Sequence, residues 1–510
     1  MKGKIKLLSL LMALAMVATL FVACDNPSGG DDTSGGGSGE TVQLTWWHWG
    51  NAPTNGDAAI KALNEKSAKD IGVTINFIWA TQDDSKLKTA LSTGTQDDLA
   101  FVCSWFANYL STAQSGQLAD ITELVKAQTE LYDFIPDWAW EAVTVNDAIY
   151  AVPVMKDSAA EQFWLVNREY VLDGAGAQAE FEATGERVAS VTPLLRKVKA
   201  YADAGNPYPN DLTAPFNYNK AGLNGYETGW DMVQGSLHIG DKIDEEGIKI
   251  VSSYEDEDMR ADYRELATWY KEGLVNADCA QTETEPANII VSTAQGWEGA
   301  EVSSWGQGKN YTVAINKKYG PVATRATVLG GTNAVFANSQ HKEEAVKYLA
   351  YINTNKEYRD MLAYGAEGTN FEYTTDENGD TFVKKLNNDF EPGTFAQGTT
   401  WILTPTEGVP ATMYTDIQAM SEGAEATELI GFALDESNLG TQIAACSGIL
   451  SQYTNGIQCG TYDDPDAVID QMLTELRGSG YDTVIEEAQK QVDEYLANRE
   501  IGRASCRERV

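Results

Sequence analysis

The residues of this chain best placed to do chemistry are tryptophans, and the chemistry is non-covalent. Trp46, Trp47, His48 and Trp49 end one apolar run, Trp79 ends a second, and Ser104, Trp105 and Phe106 end a third. The whole chain holds 13 Trp, 23 Tyr and 14 Phe, a large supply of flat apolar faces with a polar edge. A sugar ring shows C–H patches on its face and hydroxyls around its rim. Its physical complement is an aromatic platform flanked by charged or amide hydrogen-bonding groups. Trp47, Trp49, Trp105 and Trp297 stand in turns beside Gly, Ser or Glu and are expected at a cleft. Trp138, Trp140, Trp164 and Trp269 lie inside periodic patterns and are expected in the core, while Trp305 and Trp401 fit either place.

Signals for covalent catalysis are weak. No G-x-S-x-G elbow, H-E-x-x-H pair, Walker loop or dinucleotide fingerprint occurs. The three histidines, His48, His238 and His341, are scattered, so neither a metal centre nor a cofactor is expected. With 75 acidic residues, no glycosidase carboxylate pair can be picked out without geometry. The run DENGD at 376–380 lacks the ligand spacing of a calcium loop and reads as a solvated turn. Cys446 and Cys459 could pair in an oxidising compartment, but Cys446 falls in a helical pattern that carries the chain away.

The elements that must position the tryptophans alternate. Strands are expected at 42–47, 73–79 and 98–105, with helices at 57–69 and 85–94 between them. That order predicts a parallel sheet with ligand at the carboxyl ends of its strands. Further on, a strand is expected at 163–167 and a helix at 256–271 stopped by Gly273. A strand is expected at 326–337, and a helix at 341–353 capped by Ser339. Asn378-Gly379 signals a hairpin. Asp464 and Pro465 open one late helix, and Thr483 with Glu486 forms a capping box for the last.

The amino terminus addresses the chain. Lys2, Lys4 and Lys6 precede an apolar run to Val22, and Ala23 leads into Cys24. This order predicts a signal peptide over 1–23 and lipidation at Cys24. A Gly/Ser-rich tether over 24–40 would then leave the body swinging outside the cytoplasm, lipid-anchored to the cell membrane on its outer face or periplasmic side. The formal charge of −38 becomes −41 once the three leader lysines are removed, which argues against nucleic acid as a partner. The closing run IGRASCRERV shifts abruptly in composition and back-translates to a string like a sequencing adapter, so 500–510 is expected to be non-native.

Several blocks resemble the extracellular solute-binding family 1, the receptors of sugar ABC importers. They are closer still to its LipO-like lipoprotein subgroup, which carries a characteristic C-terminal domain. The segments are SKLKTALSTGTQDDLAFVCSWFANYLSTAQSGQLADITELV, IYAVPVMKDSA, WYKEGLVNAD, EEAVKYLAYINTNKEYRDMLAYGAEGTNFEY and parts of 431–498, notably GFALDESNLGTQIAACSGILSQY. The resemblance implies an α/β, two-lobed periplasmic-binding-protein-like (type II) fold. Residues 41–155 and 324–370 would form one lobe; 156–323 and 371–499 would form the other. The chain would cross near 154–157, 318–324 and 371–386. By position, the family's ligand contacts would fall on Trp47, Trp49, Ser104, Trp105, Met155, Lys156, Tyr364 and Glu367, and we add Trp297 and Glu298. A salt bridge between Lys156 and Glu367 across the lobes is the alternative for that pair.

The reading that follows is a monomeric, non-catalytic receptor for an ABC importer that captures an oligosaccharide and passes it to the permease. The alternatives are a surface-anchored glycan-degrading enzyme, or a receptor of the same fold for a peptide or other non-sugar solute.

Overall fold

The computed structural model describes residues 41–80, 83–223, 228–243, 245–284 and 286–507. The signal peptide, Cys24 and the tether lie outside them. In the first strand, Val42–Trp49, side chains alternate so that Leu44, Trp46 and His48 point into the core. Val73–Ala80 pairs parallel on one side of it and Leu99–Val102 parallel on the other. Thr332–Val335 and Ala151–Pro153 extend the sheet, each pairing antiparallel at its new edge. Helices Asp57–Ile71 and Ser85–Thr93 stop at Gly72 and Gly94, both in the left-handed region that a residue without Cβ enters at least cost.

A second sheet runs in the order Val291–Gly296, Ala160–Asn167, Val313–Ala323 and Glu425–Ala426. Beside it lies a three-stranded sheet of Trp230–Gln234, Ile239–Lys242 and Val251–Ser252. Each region has its own apolar core. One gathers Trp46, Phe101, Tyr348 and Trp401, the other Trp164, Tyr254, Trp269 and Leu473. Two separate cores define two lobes, and the two-lobed α/β expectation holds. Helices Gly440–Gln458 and Pro465–Gly478 pack with Glu257–Glu272 on the second lobe, and Tyr481–Arg507 packs on those two helices. Arg264 and Arg260 fasten that docking to Asp466 at 3.0 Å and Asp470 at 2.7 Å. No helix among the described residues is long and apolar enough to cross a membrane.

Three expectations need correcting. The stretch 326–337 is not one strand: Thr324 and Thr327 form a capping box that opens the short helix Arg325–Val328, and only Thr332–Val335 is extended. The last helix starts at Tyr481, which places Thr483 and Glu486 inside it rather than at a capping box. The third crossing lies later than 371–386. Phe390, Ala396, Trp401, Met413 and Ile417 all pack in the first core, and the chain joins the second-lobe sheet only at Glu425–Ala426. Apolar periodicity shows that such residues are buried but not in which core. Residues 371–385 form the expected hairpin, Phe371–Thr375 with Thr381–Lys385. Cys103, Cys279, Cys446 and Cys459 are all buried free thiols.

Candidate functional site

The carboxyl end of the third strand opens onto a cavity of about 520 Å³ between the lobes, with Trp49 at the end of the first strand packed behind it. Its wall includes Ser104, Trp105, Lys156, Asp157, Trp297 and Phe395. Past Val102 the chain folds back tightly: Cys103 N–H donates to the Phe106 carbonyl at 2.9 Å, and Ala107 and Asn108 take positive φ values of 58° and 48°. Asp84 accepts from Ala107 N–H at 2.9 Å and holds that strained turn. The turn sends Phe106 inward and Trp105 outward, leaving Trp105 53 % exposed. Its indole N–H donates to the Gly330 carbonyl at 3.1 Å, and Ser104 N–H donates to Leu329 at 2.8 Å. The exposed ring is thereby fixed in orientation against the crossing helix.

Trp105 does not stand alone. Trp49 meets it edge-on at 5.8 Å, Phe101 lies at 5.8 Å and Phe395 at 6.3 Å. Phe395 is set by a buried cation: Arg359 is fully enclosed and donates to the carbonyls of Thr394, Gly398 and Thr399 and to Gln397 Oε1. Gly393 lies so close to Trp49 that a Cβ there would sit 2.9 Å from the ring.

The indole N–H groups sort the tryptophans by role. Those of Trp46, Trp140, Trp164, Trp269 and Trp401 donate to Asn333, Tyr132, Gly185, Thr192 and Lys156 at 2.7–3.1 Å. The N–H groups of Trp49 and Trp297 are buried and have no acceptor among the described residues. An orphaned buried donor calls for a partner, and both orphans belong to the tryptophans at the cleft. The polar side of the cavity is Lys156, paired with Asp157 at 2.9 Å. That pair replaces the expected bridge to Glu367. Behind the wall, burial pushes the Cys103 thiol up to about 12, which keeps it protonated and inert.

The cavity therefore brings together Ser104, Trp105, Lys156 and Trp297, with Trp49 backing them. Other expected residues lie elsewhere. Trp47 faces the opposite way and donates its N–H to Asp97 at 3.0 Å. Met155 is fully buried, and its carbonyl accepts from Thr400 N–H at 2.8 Å. Tyr364 sits in a small core with Phe371 and Leu403, its hydroxyl donating to Thr404 at 2.9 Å. Glu367 is exposed in the turn after that helix, and Glu298 is exposed beside Trp297 but does not line the cavity. Sequence reading missed Asp157 and Phe395. Phe395 had one visible signal, its place just after the Pro392-Gly393 turn.

Two lobes with a ligand-sized cavity between them are the architecture on which solute-binding proteins are built. A family model described as a domain of unknown function, DUF3502, matches residues 428–497. A carbohydrate ABC transporter substrate-binding protein of Streptococcus pneumoniae is 25% identical over 503 residues, 96% of this chain and 97% of that protein. The crystal structure of the N-glycan transport solute binding protein NgtS from S. pneumoniae superposes with TM-score 0.80 at 25% identity, covering 90% of this chain and 100% of that one. Its complex with Man5GlcNAc superposes with TM-score 0.73, covering 90% and 99%. A solute binding protein from Bifidobacterium longum infantis, at 14% identity and TM-score 0.54 over 90% of this chain and 99% of that one, shares the fold. The resemblance to the family 1 solute-binding proteins with the subgroup's C-terminal domain holds along the chain.

Proposed function

We propose that this protein is the receptor of an ABC importer and captures an oligosaccharide between its lobes. The observation that carries the reading is Trp105. A ring this large, 53 % exposed yet pinned by its N–H at the mouth of the cleft, is placed to stack on a sugar face. The orphaned N–H group of Trp297, on the cavity wall, would supply a donor to a hydroxyl or acetamido oxygen. The similarity to the N-glycan protein makes mannose–N-acetylglucosamine oligosaccharides the first cargo to try.

Binding here is release without chemistry. A glycosidase needs two carboxyl groups about 5–9.5 Å apart across the scissile bond. Among the described residues lining this cavity the carboxylate is Asp157, already paired with Lys156. The leader and Cys24 would hold the receptor outside the cytoplasm as a lipid-anchored monomer, ready to deliver cargo to the permease.

Calorimetry of the mature body against Man1GlcNAc, Man5GlcNAc and a control peptide tests this. Saturable heat with a glycan, and no new reducing ends after incubation, is the expected result. Heat with the peptide alone, or glycan turnover, would overturn it.

A further inference from the structure

A second cavity of about 400 Å³ adjoins the first, and Ser104 and Ala326 line both. Its volume falls in the range of about 300–1,000 Å³ usual for small-ligand sites. Three parts of the molecule wall it. Helix Tyr109–Gln114 comes from the first lobe, strand Trp230–Gln234 from the second, and Leu429, Phe432, Leu434, Glu436 and Ile443 belong to the DUF3502 match at 428–497. The Gln114 amide donates to the Leu434 carbonyl at 3.0 Å, so the C-terminal domain touches the first lobe here.

The wall has unmet hydrogen-bonding capacity. Arg325 lines this cavity and is only 5 % exposed. Its Nη1 and Nη2 donate to Gly431 and Thr144 at 3.0 and 2.8 Å, but its Nε–H is buried with no acceptor among the described residues. A buried guanidinium donor left unpaired is costly, and a ligand oxygen would relieve it. Gln234 donates to the Glu436 carboxylate, which still has acceptor capacity. Met232 and Phe432 supply apolar surface. A donor, an acceptor and an apolar face are what a pyranose with vicinal hydroxyls needs. Arg325 and Glu436 also balance in charge, which suits a neutral sugar rather than a uronic acid or sulfate.

We propose that this chamber is a second sugar subsite, walled by the DUF3502 domain, and that the domain serves to extend the binding site to longer glycans. The proposal rests on the receptor function argued above. A chain seated on Trp105 would pass Ser104 and Ala326 and place a further residue against Arg325, Gln234 and Glu436.

The test uses the full mature protein and two probes, Man1GlcNAc and Man5GlcNAc. Ser111 is exposed on the chamber's helix wall, so Ser111→Trp fills the space without touching the core. It should weaken Man5GlcNAc about tenfold or more while moving Man1GlcNAc less than about twofold. Glu436→Gln, a milder change, should cost the longer glycan about threefold. Equal losses on both probes, or no loss on the longer one, would overturn the subsite while leaving the receptor function intact. Failure of the wild-type protein to bind either glycan would overturn the subsite together with the mannose–N-acetylglucosamine cargo.

Discussion

Trp47 and Trp105 are two tryptophans at the carboxyl ends of neighbouring strands with opposite fates. Trp105 should behave as a binding residue: Trp105→Ala is expected to cost about 1 kcal/mol or more of glycan affinity, with a smaller loss of stability than Trp47→Ala because the ring is half in water already. Trp47→Ala should do the reverse. It loses packing on the first core and the bond to Asp97, about 2 kcal/mol of stability, and leaves affinity within about twofold. Calorimetry paired with chemical denaturation separates the two. His48 is a different case. It is enclosed by Trp46, Phe77 and Trp79, with no hydrogen-bond partner for either ring nitrogen among the described residues, and burial pushes its pKa down to about 3. The unfolded chain then takes up a proton below pH 6.5 that the folded chain refuses. Stability from this group is therefore lost as pH falls from 6.5 toward 3, by about 1.36 kcal/mol per unit. Burial pushes Asp231 and Asp262 up to about 6, which acts in the opposite direction as pH falls from 6 toward 4. The comparison must therefore be between wild type and His48→Phe: the variant should lose the steep acid decline, measured by denaturation from pH 7 to 4.

At the scale of elements, the 394–399 segment shows how a loop is held as firmly as a strand. Arg359, on helix Lys356–Tyr364, satisfies three of its carbonyls and one side-chain amide from inside the core. Arg359→Met would leave those acceptors buried and unpaired, so it should cost about 3 kcal/mol or more. It should also weaken glycan binding through Phe395 without changing any group on the cleft wall. Thermal unfolding and calorimetry on the same sample check this; an unchanged affinity would mean that Phe395 is positioned by something else. Element order was largely legible. Gly72, Gly94 and Gly273 stop their helices where apolar spacing ends, and Asp464 caps its helix by accepting from Ala467 N–H at 3.1 Å. The stretch 326–337 was not legible, because the Thr324–Thr327 capping box breaks an apolar run that reads equally well as strand.

Across the whole molecule, the chain passes between lobes after Pro153, after Ala323 and again around Glu425. Three crossings side by side suit a hinge, and a ligand touching both lobes favours whichever arrangement it contacts most. Saturating glycan should therefore lower the radius of gyration in solution scattering. It should also change tryptophan fluorescence with the same Kd as calorimetry, since Trp49, Trp105 and Trp297 are gathered at the cleft. A glycan that binds with no change in dimensions would argue against hinge closure.

What the sequence determined by itself was local or cumulative. It set where helices stop, which runs alternate, how many aromatic faces are available, and the family that scattered blocks together resemble. Those properties depend on neighbours along the chain or on totals, and both can be read in one dimension. Tertiary structure alone decided which tryptophans face the cleft, that Lys156 pairs with Asp157, and that 390–417 joins the first core. It also placed Arg325 in a chamber walled by the C-terminal domain. Each of these depends on which distant segment occupies the space beside a residue, and periodicity reports only that some segment does.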